Sequence, residues 1–456
     1  MSLGAEEPPA AFDREAYESF RFLGGELSSE GQVSLHYALD EQLSFTERIV
    51  LPVPGPLEPE QRERVGGLLS LLHWVAGVSY FKSALPPRIS CESGLPGPAA
   101  AALLEALYSE GLGELAYENR LAALPRPSFP RGAPEPAPDS PPGSLGRILV
   151  PVGGGKDSAV AIEIARRSGA EVALFSVGNA PPIARTAAVA GLEHLIARRE
   201  LDPVLFELNG SGALNGHIPI TAIVTCIALL SAALNGFDAV AMANERSASA
   251  GNLSWDGIEV NHQFSKGLAA ERLLSRAVAE AGFPVRQFSI LRPASELAIA
   301  RAFARMEQYH GAFTSCNAIF RLDPALRSAS WCCDCPKCRF VFLALAPFSS
   351  PAHLREIFGT DLLAEEDQYE GFALLAASGG HKPFECVGEE QESVAAMRLL
   401  TADERWREHA VVRRFAREVL AGAGDDFGAP ADVLALGEDH DVPAELLEDV
   451  RAILGA

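Results

Sequence analysis

The sequence lacks both a long uninterrupted apolar run and an excess of basic residues. Its longest apolar stretch, residues 218–234, contains proline, threonine and serine and is shorter than a typical membrane span, so we interpret it as a buried helix. The chain has 60 acidic and 38 basic residues, which gives a formal net charge of −22. This balance argues against a large nucleic-acid surface, because phosphate binding relies on clustered lysine and arginine. It still allows a local basic pocket for an anionic small molecule.

A secretory signal and a disulfide framework are also missing. The first eleven residues are acidic and contain proline, and they have no apolar core. Four of the eight cysteines fall within seven residues, a spacing that suits a metal better than disulfides. We therefore expect a protein of the reducing cytoplasm, with no membrane and no nucleic acid among its partners.

A proline-rich stretch divides the chain. Residues 125–146 contain eight prolines and predict an extended linker. Residues 1–124 mix predicted strands at 32–39 and 45–50 with a predicted helix at 61–78, and they predict a small α+β domain. In residues 147–348, strands alternate with helices, which predicts an α/β domain with a parallel sheet. Residues 349–456 predict a helical region, with candidate helices at 393–400, 404–421 and 443–454. The whole chain of 456 residues is too long for one core of ordinary size.

A glycine-rich loop follows the first predicted strand of the α/β region and precedes a helix. This order points backbone N–H groups and the positive end of a helix dipole at one spot, which suits a phosphate. The lysine lies too early for a Walker A loop, and the dinucleotide-binding pattern is absent. A glycine turn without a ligand is the alternative. The predicted nucleotide-binding residues are Gly153, Gly154, Gly155, Lys156, Asp157 and Ser158, with Lys156 on a phosphate, Asp157 facing Mg²⁺ and Ser158 donating to an oxygen.

Polar residues cluster at several points near this loop in the predicted fold. One group opens the long apolar helix, and another follows the predicted strand at 238–243, where ligands of open α/β sheets bind. Each cluster alone could be a helix cap or a solvated set, and Arg292 could form a surface ion pair instead of binding an anionic group. The candidates are Asn215, His217, Asn244, Glu245, Arg246, His262, Lys266 and Arg292.

The cysteine cluster predicts a structural zinc site. Cys332, Cys335 and Cys338 form a regular triple, and Cys316 is the best fourth ligand. Four thiolates complete a tetrahedron and leave no open position for catalysis. Cys333 and Cys386 are rival ligands, and reduced structural or redox thiols are the alternative to a metal.

The glycine loop resembles that of the PP-loop ATP pyrophosphatases, Ser-Gly-Gly-x-Asp-Ser, although Gly153 stands where the first serine is usual. A larger set of motifs resembles the UDP-N-acetylmuramoyl-L-alanyl-L-glutamate epimerases, which are bacterial cell-wall enzymes. This resemblance covers nearly the whole chain and is more specific than the loop. The motifs are residues 153–158, 215–218, 244–249, 261–267, 291–297, 332–342 and 381–389.

The resemblance implies a PP-loop, adenine nucleotide alpha hydrolase-like fold and inversion of the terminal L-glutamate of a UDP-muramyl dipeptide. The reaction uses ATP and Mg²⁺ and yields AMP and pyrophosphate; no pyridoxal phosphate motif is apparent. The implied proton-transfer and enolate-stabilising candidates are His217, Glu245, His262 and Lys266. The implied substrate-binding candidates are Asn215, Asn244, Arg246 and Arg292.

Three other functions are compatible with parts of this pattern. A 7-cyano-7-deazaguanine synthase, or another PP-loop ligase, would adenylate a different carboxylate. A transfer-RNA thiolase fits poorly with so acidic a chain. A non-catalytic nucleotide sensor with a degenerate loop is disfavoured, because Lys156, Asp157 and Ser158 are all present.

Overall fold

The computed structural model describes residues 12–133, 145–255, 257–320, 327–328 and 330–455. In chain order the strands are β1 (Ser19–Leu27), β2 (Gln32–Leu39), β3 (Leu43–Val50), β4 (Arg88–Cys91), β5 (Arg147–Pro151), β6 (Glu171–Val177), β7 (His194–Glu200), β8 (Ala239–Met242), β9 (Leu253–Trp255), β10 (Ile258–Val260) and β11 (Arg286–Ser289).

The α-helices are α1 (Pro59–Arg64), α2 (Gly66–Ala76), α3 (Val78–Phe81), α4 (Pro98–Tyr108), α5 (Gly113–Glu118), α6 (Lys156–Arg167), α7 (Pro181–Ala190), α8 (Pro203–Gly210), α9 (Ile220–Asn235), α10 (Leu268–Glu280), α11 (Glu296–Phe303), α12 (Pro336–Leu345), α13 (Pro351–Phe358), α14 (Tyr369–Leu375), α15 (Glu390–Ala402), α16 (Ala410–Phe415), α17 (Pro430–Leu434) and α18 (Leu447–Leu454). None of the helices in the described ranges is both long and apolar enough to cross a membrane.

The chain forms two compact units. The first comprises the described residues of Met1–Asp139, Ala197–Leu234 and Arg276–Phe283, and the second comprises the rest. The division of the chain into domains at residues 125–146 stays a prediction, because the first compact unit also includes the later segments Ala197–Leu234 and Arg276–Phe283. Residues 134–144 of the predicted linker lie outside the described residues.

The first unit contains an antiparallel sheet covered by helices. Strands β1, β2 and β3 pair antiparallel in that order, and β4 pairs parallel with β1. Buried side chains alternate along β2 because successive residues of a strand face opposite sides of the sheet. The predicted helix at 61–78 is wrong in extent: it is three helices, α1 to α3. Two consecutive glycines, Gly66 and Gly67, open α2, and Gly77 separates it from α3.

The second unit contains a parallel sheet with strand order β11-β8-β5-β6, so the α/β class is confirmed. Parallel strands place their carboxyl ends at one edge, and the segments after β5, β8 and β11 therefore meet there. The predicted strand at 238–243 is β8, which pairs with β5 through Ala239 and Ile148.

The described part of residues 349–455 is helical. The predicted helix at 404–421 is wrong in extent, since α16 begins only at Ala410 and continues as a π-helical turn, Ala416–Leu420. The Asp403 side chain accepts a hydrogen bond from the Arg405 backbone N–H at 2.9 Å. A short side chain that bonds the nearby backbone in this way favours a turn over a helix.

Candidate active site

The glycine loop lies between β5 and α6 and has a specific backbone shape. Gly154 has φ +80°, and a Cβ there would lie 2.5 Å from the Pro182 carbonyl carbon. The Gly154 carbonyl accepts from the Thr314 backbone N–H at 3.0 Å, and the Ser158 hydroxyl accepts from the Gly153 N–H at 2.9 Å. A Cβ on Gly153 would meet nothing within 4 Å. The loop therefore requires glycine at 154, whereas position 153 has room for a side chain.

Lys156 lies beneath the loop in a buried ion network. Its ammonium pairs with the carboxylates of Asp157 and Glu296, and Glu296 lies 3.5 Å from the Lys337 ammonium. Burial raises the pKa of Glu296, but Lys156 and Lys337 outweigh burial and lower it to about 2. Burial likewise opposes the charge on Lys156, whereas the charges of Asp157 and Glu296 raise its pKa. Lys156 and Glu296 are therefore both charged at neutral pH.

Glu245 follows β8, the neighbour of β5, so it lies at the same edge of the sheet as the glycine loop. Its side chain is buried. Burial, and after it the negative charge of Glu296, raises the pKa of Glu245 to about 7, although Lys266 opposes this shift. A carboxyl group that is partly protonated at neutral pH can both accept and donate a proton.

Arg292, which follows β11, holds two candidate residues in place. Its guanidinium donates to the carbonyls of Glu245, at 2.5 Å, and of Lys266. It also pairs with the Glu271 carboxylate at 2.8 Å, and Glu271 accepts in turn from the Ser289 backbone N–H at 3.1 Å. Its Nη1 and Nη2 groups thus bind buried internal partners, and these tie the segments that carry Glu245 and Lys266 together.

The other predicted polar residues are spread over both units. Asn244 directly precedes Glu245, and its side-chain amide donates to the Ser289 hydroxyl at 3.0 Å. Arg246 donates to the carbonyls of residues 433 and 435 and so fastens the helical C-terminal region. Asn215 accepts from the Lys82 ammonium at 3.0 Å, and Asn215 and His217 belong to the first unit. Their predicted roles stay predictions.

His262 and Lys266 lie with Cys386 in the second unit. The Lys266 ammonium is 3.1 Å from the Cys386 sulfur and 3.3 Å from the Gln263 side-chain oxygen. His262 also hydrogen-bonds Cys386. All but the buried Gln263 are half-buried.

Four cysteine sulfurs come together at the start of α12. The sulfurs of Cys316, Cys332, Cys335 and Cys338 lie within 4.8 Å of one another. Backbone N–H groups donate to two of them, from Cys332 to Cys316 and from Cys338 to Cys335, both at 3.4 Å. The rival ligands point elsewhere: Cys333, at φ +59°, donates its thiol to the Phe358 carbonyl, and Cys386 contacts Lys266.

Sequence analysis missed several charged groups of this region. Glu296 follows Ser295, whose hydroxyl caps α11 by accepting from Ala298, so the segment resembles an ordinary helix start. Glu392, at the start of α15, accepts from the Ser247 hydroxyl at 2.5 Å. Burial raises the pKa of Glu392 to about 8, although the hydrogen bond from Ser247 opposes this shift. Lys337 has no sequence signal beyond its position between cysteines.

Comparisons with known proteins agree with one another. The MurL N-terminal domain family matches residues 11–290, and the MurL C-terminal domain family matches residues 312–427. No solved structure is significantly similar to the chain. Proteins named UDP-N-acetyl-alpha-D-muramoyl-L-alanyl-L-glutamate epimerase are similar to it over most of their length. They include one from a Micromonospora species (48% identical, covering 91% of this chain and 93% of that protein) and one from Xanthomonas oryzae pv. oryzae (42% identical, covering 97% and 99%). The chain therefore belongs to the MurL family of these epimerases, and it is an isomerase.

Proposed function

We propose that this enzyme inverts the terminal L-glutamate of UDP-MurNAc-L-Ala-L-Glu to D-glutamate in the synthesis of peptidoglycan precursors. ATP activates the α-carboxylate as an acyl-adenylate, and the products are AMP, pyrophosphate and the epimerised peptide. The observation that carries this proposal is the glycine loop, Gly153–Gly155. It follows β5 and directly precedes the twelve-residue helix α6, which begins at Lys156. Relatives named for this substrate at 42–49% identity support the same reaction.

The loop suits the phosphates of ATP. The backbone N–H groups at the start of α6 and the positive end of its dipole favour an anion. The carboxylate of Asp157 is partly exposed and the Lys156 ammonium holds one of its oxygens. Carboxylate oxygens are the protein ligands that Mg²⁺ prefers, so Asp157 is our candidate to hold it. The bound ion would neutralise phosphate charge.

Gly154→Ala is expected to weaken the binding of Mg-ATP at least tenfold. A side chain at φ +80° costs about 1–2 kcal/mol, and the new Cβ would in addition meet the Pro182 backbone. Isothermal calorimetry measures the effect. Gly153→Ala is the matched control, since its Cβ has open space and its affinity should stay close to that of the wild type. Equal losses in both variants would contradict the assigned loop geometry.

Activation of the carboxylate is what makes the α-proton removable. A proton beside a carboxylate is very weakly acidic, because its removal places a second negative charge next to the first. In the mixed anhydride this charge is gone, and an enolate can form and be reprotonated on its other face. Lys266 is our candidate to stabilise the enolate, since Cys386 and Glu245 raise its pKa against the effect of burial and keep it charged.

Glu245 and His262 are proposed to act in proton transfer, and His217 stays a candidate. The Glu245 carboxyl is held at the sheet edge by Arg292, which binds its carbonyl. For the substrate we propose contacts from Asn215, Asn244 and Arg246, as predicted. Arg292, with its internal partners, is better suited to positioning the segments that carry Glu245 and Lys266.

Glu245→Gln and His262→Ala are each expected to slow epimerisation by about 100-fold, because an amide or a methyl group transfers no proton. Chiral analysis of released glutamate measures the rate. Glu171→Gln is the control, because the side chain of this exposed residue pairs with Arg147 at the surface. If both site variants epimerise at the wild-type rate, the catalytic assignment is wrong.

The proposed reaction is tested with Mg-ATP and UDP-MurNAc-L-Ala-L-Glu. AMP, pyrophosphate and D-glutamate should appear together and depend on both substrates. Release of AMP only with a deazapurine carboxylic acid would favour a 7-cyano-7-deazaguanine synthase-like ligase instead. No AMP with any carboxylate would favour a nucleotide sensor.

We also propose a structural zinc ion at Cys316, Cys332, Cys335 and Cys338. Their sulfurs lie close enough to share one ion, and two of them accept backbone N–H bonds. Four thiolates satisfy tetrahedral zinc and leave no position for a substrate. The ion would fasten the start of α12 to the segment of Cys316.

A further inference from the structure

Cys386 lies beside Lys266 and His262, two residues of the proposed reaction, but its own thiol has no role there. Its sulfur is 3.1 Å from the Lys266 ammonium, and the His262 side chain also hydrogen-bonds it. Cys386 is half-buried, and it is not one of the four sulfurs grouped at α12. A thiol between an ammonium and an imidazole has the surroundings of a reactive cysteine.

The charges around this sulfur favour the thiolate. Burial raises the pKa of the Cys386 thiol, but Lys266, His262 and Lys337 together lower it to about 5. Cys91 shows the opposite case, because burial without a cation raises the pKa of its thiol to about 12. At neutral pH Cys386 is therefore ionised and able to accept a proton, whereas Cys91 is not.

Two contacts connect Cys386 with the proposed reaction centre. The Lys337 ammonium donates to the Cys386 carbonyl and lies 3.5 Å from Glu296, the buried partner of Lys156 under the glycine loop. The Lys266 ammonium contacts the sulfur, and Arg292 donates to the backbone carbonyls of both Lys266 and Glu245. The thiolate thus belongs to the hydrogen-bonded network that joins the glycine loop and Glu245.

We propose that Cys386 is a catalytic residue whose thiolate takes the α-proton of the activated glutamyl group; this rests on the proposed function. The Cα–H bond breaks, an S–H bond forms, and the electron pair moves onto the acyl oxygen as an enolate. The Lys266 ammonium keeps its proton and stabilises that oxygen. The Glu245 carboxyl then donates its proton to the opposite face of Cα and becomes a carboxylate. His262, which hydrogen-bonds Cys386, passes the thiol proton on to solvent, and solvent reprotonates Glu245, so no oxidant or reductant is needed.

The first test separates proton transfer from carboxylate activation. The full-length protein is incubated with Mg-ATP and UDP-MurNAc-L-Ala-L-Glu in D₂O, and deuterium at Cα and AMP are both measured. Cys386→Ser should lower deuterium incorporation at least 100-fold more than it lowers AMP formation. Cys91→Ser, a half-buried cysteine of β4, is the control. Equal effects of Cys386→Ser on the two rates overturn the proposal. A wild-type protein that forms no AMP overturns the proposed function instead.

A second test uses the wild-type thiol and does not depend on the variant folding. Iodoacetamide at pH 6.5 should alkylate Cys386 at least tenfold faster than Cys91, as followed by peptide mass spectrometry. Lys266→Met should slow this reaction, because it removes the ammonium that favours the thiolate. Alkylation should abolish deuterium incorporation. The proposal is overturned if Cys386 reacts no faster than Cys91, or if the alkylated protein still exchanges the α-proton.

Discussion

Glu296→Gln is expected to destabilise the second unit by about 3–5 kcal/mol, the usual cost of breaking a buried ion pair. The two side chains of the Lys156–Glu296 pair are only 1% and 2% exposed, so water cannot replace the lost carboxylate. Lys337, 3.5 Å from Glu296, also loses its partner. We expect AMP formation to fall on the order of 100-fold, since a misplacement of about 1 Å at a reaction centre costs that much. Urea unfolding and an AMP assay measure the two effects.

A surface ion pair of the same unit provides the control. Arg147 and Glu171 lie 2.8 Å apart with side chains 36% and 60% exposed. Glu171→Gln should leave the unfolding midpoint close to that of the wild type, because solvent screens exposed pairs. If Glu296→Gln and Glu171→Gln have the same unfolding midpoint, the buried network does not carry the stability assigned to it.

The effect of Glu296→Gln should also depend on pH in a defined direction. The pKa of Glu296 is lowered from 4.5 to about 2, so its carboxylate contributes fully above pH 4.5. That contribution is lost as pH falls from 4.5 towards 2, by roughly 1.4 kcal/mol per pH unit. The variant lacks the titrating group, and the stability difference should therefore shrink over this range. A difference that stays constant between pH 6 and pH 3 would rule out this origin.

Cys338→Ser is expected to have the largest structural effect, because it should abolish zinc binding and unfold the region around α12. Structural zinc contributes about 10–16 kcal/mol of binding free energy in small zinc domains, and this energy adds to folding. Cys338 is buried in the first turn of α12, whose residues 340–345 are core residues of the second unit. Atomic emission should find about one zinc per wild-type chain and none in the variant. Thermal unfolding and a strong chelator provide a second measurement.

Cys333→Ser is the matched control for the zinc site. Cys333 lies between Cys332 and Cys335 in sequence, but its thiol bonds the Phe358 carbonyl. This variant should retain zinc and lose only a weak hydrogen bond. A wild-type chain without zinc, or a Cys333→Ser chain that loses it, would show that the four-sulfur assignment is wrong.

Predictions from the sequence were most accurate where residues a few positions apart determine the structure. The strand, glycine turn and helix at residues 147–167 form as expected, because consecutive apolar residues, glycines and helix formers act over a few positions. The spacing of Cys332, Cys335 and Cys338 likewise pointed to one group of sulfurs, which the structure brings together with Cys316. Glu296 escaped notice because it lies 140 residues from Lys156, and no periodicity connects the two.

The sequence by itself determined the α/β class, the position of the glycine loop and the family, since each follows from the order and spacing of neighbouring residues. The tertiary structure decided which charges meet. It buries Glu296 against Lys156, it uses Arg292 to hold the carbonyls of Glu245 and Lys266, and it places Cys386 beside Lys266. Such contacts join residues that are 26 to 140 positions apart. They arise only in the folded chain, where parallel strands bring the segments of the glycine loop, Glu245 and Arg292 to one edge of a sheet, and burial there then sets the charge of each group.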